Sequence, residues 1–229
     1  MKSSRILTST IATGLTLVLV GCAAEAPMPM GNPITGEGLP NPAPNVTTNW
    51  GTLPEGREWG TTAGIDIDPI DGHIWAYERC GAGGLGGGTN CDSNPVAPVF
   101  KFDRHTGEVL ANFGEGLFVT PHGIHVDAEG NVWIADFAGN LEGTKGHTVV
   151  KFSPSGEVLL TLGTPGQPGT GPNQLNQPND VITAPDGSIF VADGHSGQNQ
   201  TTNQAIQAAR ERGLTSRILK FSADGTFIK

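Results

Sequence analysis

The chain has 229 residues, with 34 glycines, 17 prolines, only 15% charged residues and a formal net charge of −9. That balance excludes nucleic acid as the expected partner, because phosphate binding needs a clustered basic face and Lys and Arg are scattered here. No long helical period stands out, and many short strands between Gly/Pro turns predict an all-β sandwich, barrel or propeller.

Residues 1–21 read as a targeting segment. Lys2 and Arg5 precede an uncharged apolar run, Ile6 to Val20, which is short for a membrane span of about 20 residues. The run ends in Leu19-Val20-Gly21-Cys22, which resembles the bacterial lipobox, with Cys22 as the lipidated first residue of the mature chain. An ordinary secretory signal or a short anchor helix is the alternative. Losing Lys2 and Arg5 takes the balance from −9 to −11. Residues 22–45, rich in Pro, Gly and Ala, read as a flexible tether.

Cys80 and Cys91 flank the glycine-rich loop CGAGGLGGGTNC. Export implies an oxidising compartment, so a disulfide is expected, with a Cys-x10-Cys metal site as the weaker alternative.

From residue 46 onward one frame recurs three times. The blades fall at about 64–114, 121–163 and 178–229. The middle copy opens on PHGIHVDAEGNVWIADF. Its period-2 alternation predicts strands at Gly123–Val126 and Val132–Asp136, joined by a turn in which Gly130 supplies the positive φ. Strands at Thr148–Phe152 and Val158–Leu162 follow. Four strands per repeat is the propeller blade, and Val149-x-Lys151-Phe152 with Gly156 resembles the NHL type. A ring needs about four to eight blades, so about three blades predict an incomplete one. The last frame stops in mid-strand, and the stretch is read as part of a longer chain. Trp75, Trp133 and Phe190 share one repeat position and are expected between blades. Blade three inserts residues 195–215, within which NQAIQAARER predicts a short helix.

The same residues resemble a known family, the peptidyl-α-hydroxyglycine α-amidating lyases and their bacterial NHL-propeller relatives. The resemblance rests on PHGIHVDAEGNVWIADF, on QPNDVITAPDGSIFVADGH and on Tyr77-Glu78-Arg79. It implies a six-bladed ring with an axial zinc held by three histidines from alternate blades. The matching positions here are Ala63, His122 and Asn179. His122 is then the one ligand in this stretch, and the other two are expected beyond Lys229. The resemblance also implies a structural calcium, with the main-chain oxygens of Ile65 and Ile124 at matching positions. It implies that Arg79 binds or polarises a substrate carboxylate. Where the family has a tyrosine base this sequence has His195, whose imidazole takes up protons near neutral pH.

Plainer readings stand beside these. His122 alone would read as a strand-capping histidine. His125, three residues on, falls on the opposite face of a regular strand and reads as structural. Arg79 has Glu78 and Asp136 as candidate ion-pair partners. Asp136 and Asp193 recur at one strand end, which suggests binding of main-chain amides. His73, His105 and His147 are expected at the surface. The expected function is an exported, metal-dependent carbon–nitrogen lyase acting on a small hydroxylated or carboxylated molecule or a peptide. It would be lipid-anchored at the bacterial cell envelope, with the anchor as its only membrane contact. The alternative is a non-catalytic NHL propeller that binds a protein or glycan. A lactonase-type propeller is the weakest option, because its buried Glu near the start is missing.

Overall fold

A computed structural model describes residues 46–81, 90–194, 207 and 216–229. The tether, Cys22, His195 and nearly all of the 203–212 helix lie outside the described residues; Gln207 is helical.

The strands form three antiparallel sheets in strict chain order. Blade one contains β1 (Ile65–Ile67), β2 (Ile74–Tyr77), β3 (Val99–Phe102) and β4 (Val109–Phe113). Blade two contains β5 (Pro121–Val126), β6 (Val132–Asp136), β7 (Thr148–Phe152) and β8 (Val158–Leu162). Blade three contains β9 (Pro178–Thr183), β10 (Ile189–Asp193) and β11 (Arg217–Phe221). Its fourth strand is reduced to a bridge between Phe221 and Phe227. Each sheet is a simple meander with its first strand innermost, and β1, β5 and β9 lie side by side. This is the NHL-type propeller architecture, here as three blades in an open ring. The predicted strands of blade two hold, except that β5 begins two residues earlier. Gly130 adopts φ +82° in the β5–β6 turn, as the turn requires.

The core lies between blades. Trp75, Tyr77 and Val99 of blade one pack on Ile124, Val126 and Ile134 of blade two. Trp133, Ala135 and Val149 of blade two pack in turn on Val181, Val191 and Leu219 of blade three. Each buried large apolar side chain contributes about 1.5–3 kcal/mol. Phe190, at the repeat position of the two tryptophans, is only half-buried. It sits on the bare face of blade three, where Ile182 and Ile218 are exposed. On the other side of the molecule, Trp50 and Leu53 pack against Phe100 and Phe102 of blade one.

Each of the first two blades carries an Asp–Trp–Lys cluster. Asp127 accepts from Trp133 Nε1 at 3.0 Å and pairs with Lys151 Nζ at 3.1 Å. Asp68 accepts from Trp75 Nε1 at 3.0 Å and pairs with Lys101 Nζ at 2.6 Å. In each cluster the ammonium also lies over the indole. Burial pushes the Asp127 carboxyl up, but the bonds from Trp133, Asn131 and Lys151 outweigh it and hold it below its ordinary range.

Candidate functional site

The axial position of each blade is built by a one-residue insertion. In blade two, Pro121 pairs with Asp136 and Gly123 with Ala135, so His122 is the extra residue of the β5–β6 ladder. In blade three, Pro178 pairs with Asp193 and Asp180 with Ala192, which leaves out Asn179. Blade one repeats the offset around Ala63. Its Arg79 N–H bonds to Thr61, and Ile65 pairs with Ala76, so the five residues 61–65 face the four residues 76–79. Such a bulge re-aims a side chain without disturbing the ladder on either side.

The bulge corrects the expectation for His125. An extra residue breaks strict alternation, so His122 and His125 both turn toward β9. His122 Nδ1 lies 3.0 Å from the main-chain oxygen of Asn179, and His125 Nε2 lies 2.9 Å from Thr183 Oγ1. His125 Nδ1 also faces Asp66 Oδ2 at 3.3 Å, so the histidine links all three inner strands. A carbonyl oxygen only accepts, so His122 donates to it from Nδ1–H. With Nδ1 engaged in this way, Nε2 is the nitrogen that a neutral ring would offer to a metal. The ring also leans on Phe137, with centroids 5.7 Å apart.

Blade one grips the bulge from the other side. Arg79 is almost fully buried and donates Nε–H to the Pro121 carbonyl at 2.9 Å. The Tyr77 hydroxyl donates to the main-chain oxygen of His122. Burial pushes the Tyr77 phenol well above its ordinary range, while the neighbouring Arg79 charge pulls it the other way. Glu78 pairs with Arg57.

Glu78 belongs to a buried set that sequence reading found only in part. It stands at the repeat position of Asp136 and Asp193, and all three are 0–1% exposed. Asp136 accepts the amides of Val119 and Thr120 at 2.9 and 2.6 Å. Asp193 accepts those of Asn176 and Gln177 and the Arg217 guanidinium. Glu78 accepts that of Gly60. Each acid therefore ties down the segment that leads into its inner strand. Burial pushes the Asp136 carboxyl up to about 7; the two amides and the Arg79 charge pull it down without offsetting the desolvation.

The expected disulfide is present, with Cys80 and Cys91 bonded at 1.99 Å. Asp92, beside Cys91, pairs with Lys145 of blade two at 3.3 Å, so the Cys91 end of the disulfide is moored to the next blade. Of His73, His105 and His147, only His105 is exposed as expected. His73 is half-buried and accepts the Arg104 amide. His147 is half-buried against the Asn176 carbonyl, and burial lowers its affinity for a proton. Ile65 and Ile124 occupy matching places on β1 and β5. Among the described residues, no group of three or more His, Cys, Asp or Glu side chains could hold a metal.

No family model matches the chain. Over 197 residues it is 28% identical to peptidyl-α-hydroxyglycine α-amidating lyase 2 of Drosophila melanogaster, covering 82% of this chain and 42% of that protein. Over 133 residues it is 36% identical to lyase 1 of the same organism, covering 57% and 20%. Over 145 residues it is 39% identical to NHL repeat-containing protein 3 of Mus musculus, covering 61% and 37%. Among solved structures, virginiamycin B lyase from Staphylococcus aureus aligns with a TM-score of 0.45 at 12% identity, covering 77% of this chain and 42% of that one. The chain spans less than half the length of these relatives. By sequence and repeat, then, it is a propeller chain that resembles NHL-repeat proteins and the peptidyl-α-hydroxyglycine α-amidating lyases.

Proposed function

We propose that the chain is part of an exported carbon–nitrogen lyase that cleaves a small α-hydroxylated, carboxylated substrate of the carbinolamide type. One observation carries this reading. The imidazole of His122 is set on a bulge at the inner edge of the blades, and the Arg79 guanidinium is bonded to the residue just before it. A guanidinium offers a planar fork that matches a carboxylate. His122, protonated on Nδ1, fits as one zinc ligand through Nε2, and zinc would supply Lewis-acid polarisation of a substrate oxygen. Further ligands would have to come from outside the described residues. The carbonyls of Ile65 and Ile124 are the proposed calcium ligands, since calcium favours hard oxygen donors.

In the reaction a base takes the proton of the carbinol hydroxyl. The oxygen's electrons form the carbonyl of glyoxylate, the carbon–nitrogen bond breaks, and the nitrogen keeps the pair and gains a proton to become an amide. His195 is the proposed base. The disulfide fits an oxidising compartment, and Cys22 is the proposed lipid anchor at the cell envelope.

The test is glyoxylate release from an α-hydroxyglycine-extended peptide, with bound zinc measured alongside. Release should fall at least about 100-fold in His122→Ala and in Arg79→Ala. A folded protein that binds no zinc and releases no glyoxylate would overturn the proposal. It would instead favour a non-catalytic NHL propeller that binds a protein or glycan.

A further inference from the structure

Tyr77 is the only tyrosine in the chain. Its repeat position holds Ala135 in blade two and Ala192 in blade three, as the strand pairings show. A large side chain therefore replaces a methyl group in blade one alone. The next outward repeat position behaves in the same way. Arg79 stands where the other blades have Phe137 and Gly194, each with its N–H on the carbonyl at the equivalent point of the inner strand. Departures from a repeat mark the places where something besides stacking decides the residue.

Both departures converge on one point. Tyr77 is fully buried, and its hydroxyl reaches 45 residues along the chain to the main-chain oxygen of His122. The backbone of Ala63 and the Arg79 side chain lie within hydrogen-bonding reach of the same hydroxyl. One phenol thus touches the bulge residue of blade one, the bulge residue of blade two and the guanidinium beside them. Ring packing alone does not require this. A phenylalanine would fill the same space against Gly64 and Ile124 and leave the His122 carbonyl without this donor.

We infer that Tyr77 is a positioning residue. Its hydroxyl fixes the carbonyl of the β5 bulge, sets the direction of the His122 imidazole, and holds that imidazole at a fixed place relative to Arg79. The inference deepens the reading of His122 and Arg79 as site residues and rests on it.

The test uses the whole protein and first reads the imidazole rather than turnover. In spectra of protein labelled with nitrogen-15 in histidine, the His122 ring signals are assigned by their loss in His122→Ala. Tyr77→Phe should shift or broaden those signals and leave the ring of exposed His105 in place. Unmoved His122 signals in a folded Tyr77→Phe protein overturn the inference. If Tyr77→Phe does not fold, 3-fluorotyrosine incorporated at position 77 alone provides the second arm, since it keeps both the ring and the hydroxyl. The more acidic phenol should then shift the His122 signals, and an unchanged His122 overturns the inference. A third readout follows glyoxylate release, where Tyr77→Phe should lower kcat roughly 10-fold with KM little changed. The ring signals need neither metal nor substrate. Failure of the lyase reading would therefore appear as absent zinc and glyoxylate, and failure of the positioning role as a stationary His122.

Discussion

Gly123 lies against Asn179 so closely that a methyl group on Gly123 would meet the Asn179 main-chain oxygen at 2.6 Å. The same methyl would sit 2.7 Å from Asp180 Cα, so both obstacles are backbone and neither can rotate away. Gly123→Ala should therefore push β5 from β9. We expect a loss of about 1–3 kcal/mol in urea unfolding. The His122–Asn179 hydrogen bond should open with it, visible as a moved His122 ring signal.

Asp136 makes a pH prediction with a definite sign. Burial raises its carboxyl from an ordinary 3.8 to about 7 in the folded chain. Between those values the folded state holds a proton that the unfolded state has released. Stability should then fall as pH rises from about 4 to about 7, with no contribution to the slope outside that window. Unfolding midpoints measured across the range should show this decline, and Asp136→Asn should flatten it. The variant should also be weaker overall by about 1–3 kcal/mol, because its amide cannot accept both main-chain N–H groups.

Blade three lacks the cluster that blades one and two share. Ala184 occupies the turn position of Asp127, with the same backbone bonds, and Phe190 that of Trp133. Lys220 already lies over the Phe190 ring at 5.4 Å. Ala184→Asp and Phe190→Trp together should rebuild the Asp–Trp–Lys arrangement. A double-mutant cycle should show a favourable coupling of about 0.5–1 kcal/mol, and additive single effects would refute it.

Much of this was legible in the sequence, and the residues show why the rest was not. Alternation and turn glycines locate β6, β7 and β8, because each is a regular strand between Gly/Pro-type turns. The repeat assigns Trp75 and Trp133 to the blade interfaces, and it finds the amide-binding role of Asp136 and Asp193. Glu78 escaped because it is a Glu where the others are Asp, and it reads naturally as a partner of its neighbour Arg79. The bulge escaped because period-2 patterning carries no mark of an inserted residue, and so His125 was assigned to the wrong side. Tyr77 escaped because its partner lies in another blade, at a distance that no local pattern encodes.

The disulfide closes a loop of sequence separation 11 and holds the Asp92–Lys145 pair at its end. Replacing both cysteines by serine should cost about 2–3 kcal/mol in the chain-entropy picture. Urea midpoints of the oxidised, reduced and Cys80→Ser/Cys91→Ser forms measure it. The reduced and serine forms should agree, since both lack the same crosslink.

The one-residue insertion in each inner strand separates two tasks that a plain strand would confuse. Residues before and after the insertion carry the apolar packing of blade on blade, and the inserted residue lies outside those apolar clusters. Ala63, His122 and Asn179 can therefore differ in size and chemistry while the inner strands of the three blades keep the same antiparallel pairing. The inner edge works as a row of interchangeable sockets on an unvarying frame, and a new chemistry at the axis needs only one codon per blade.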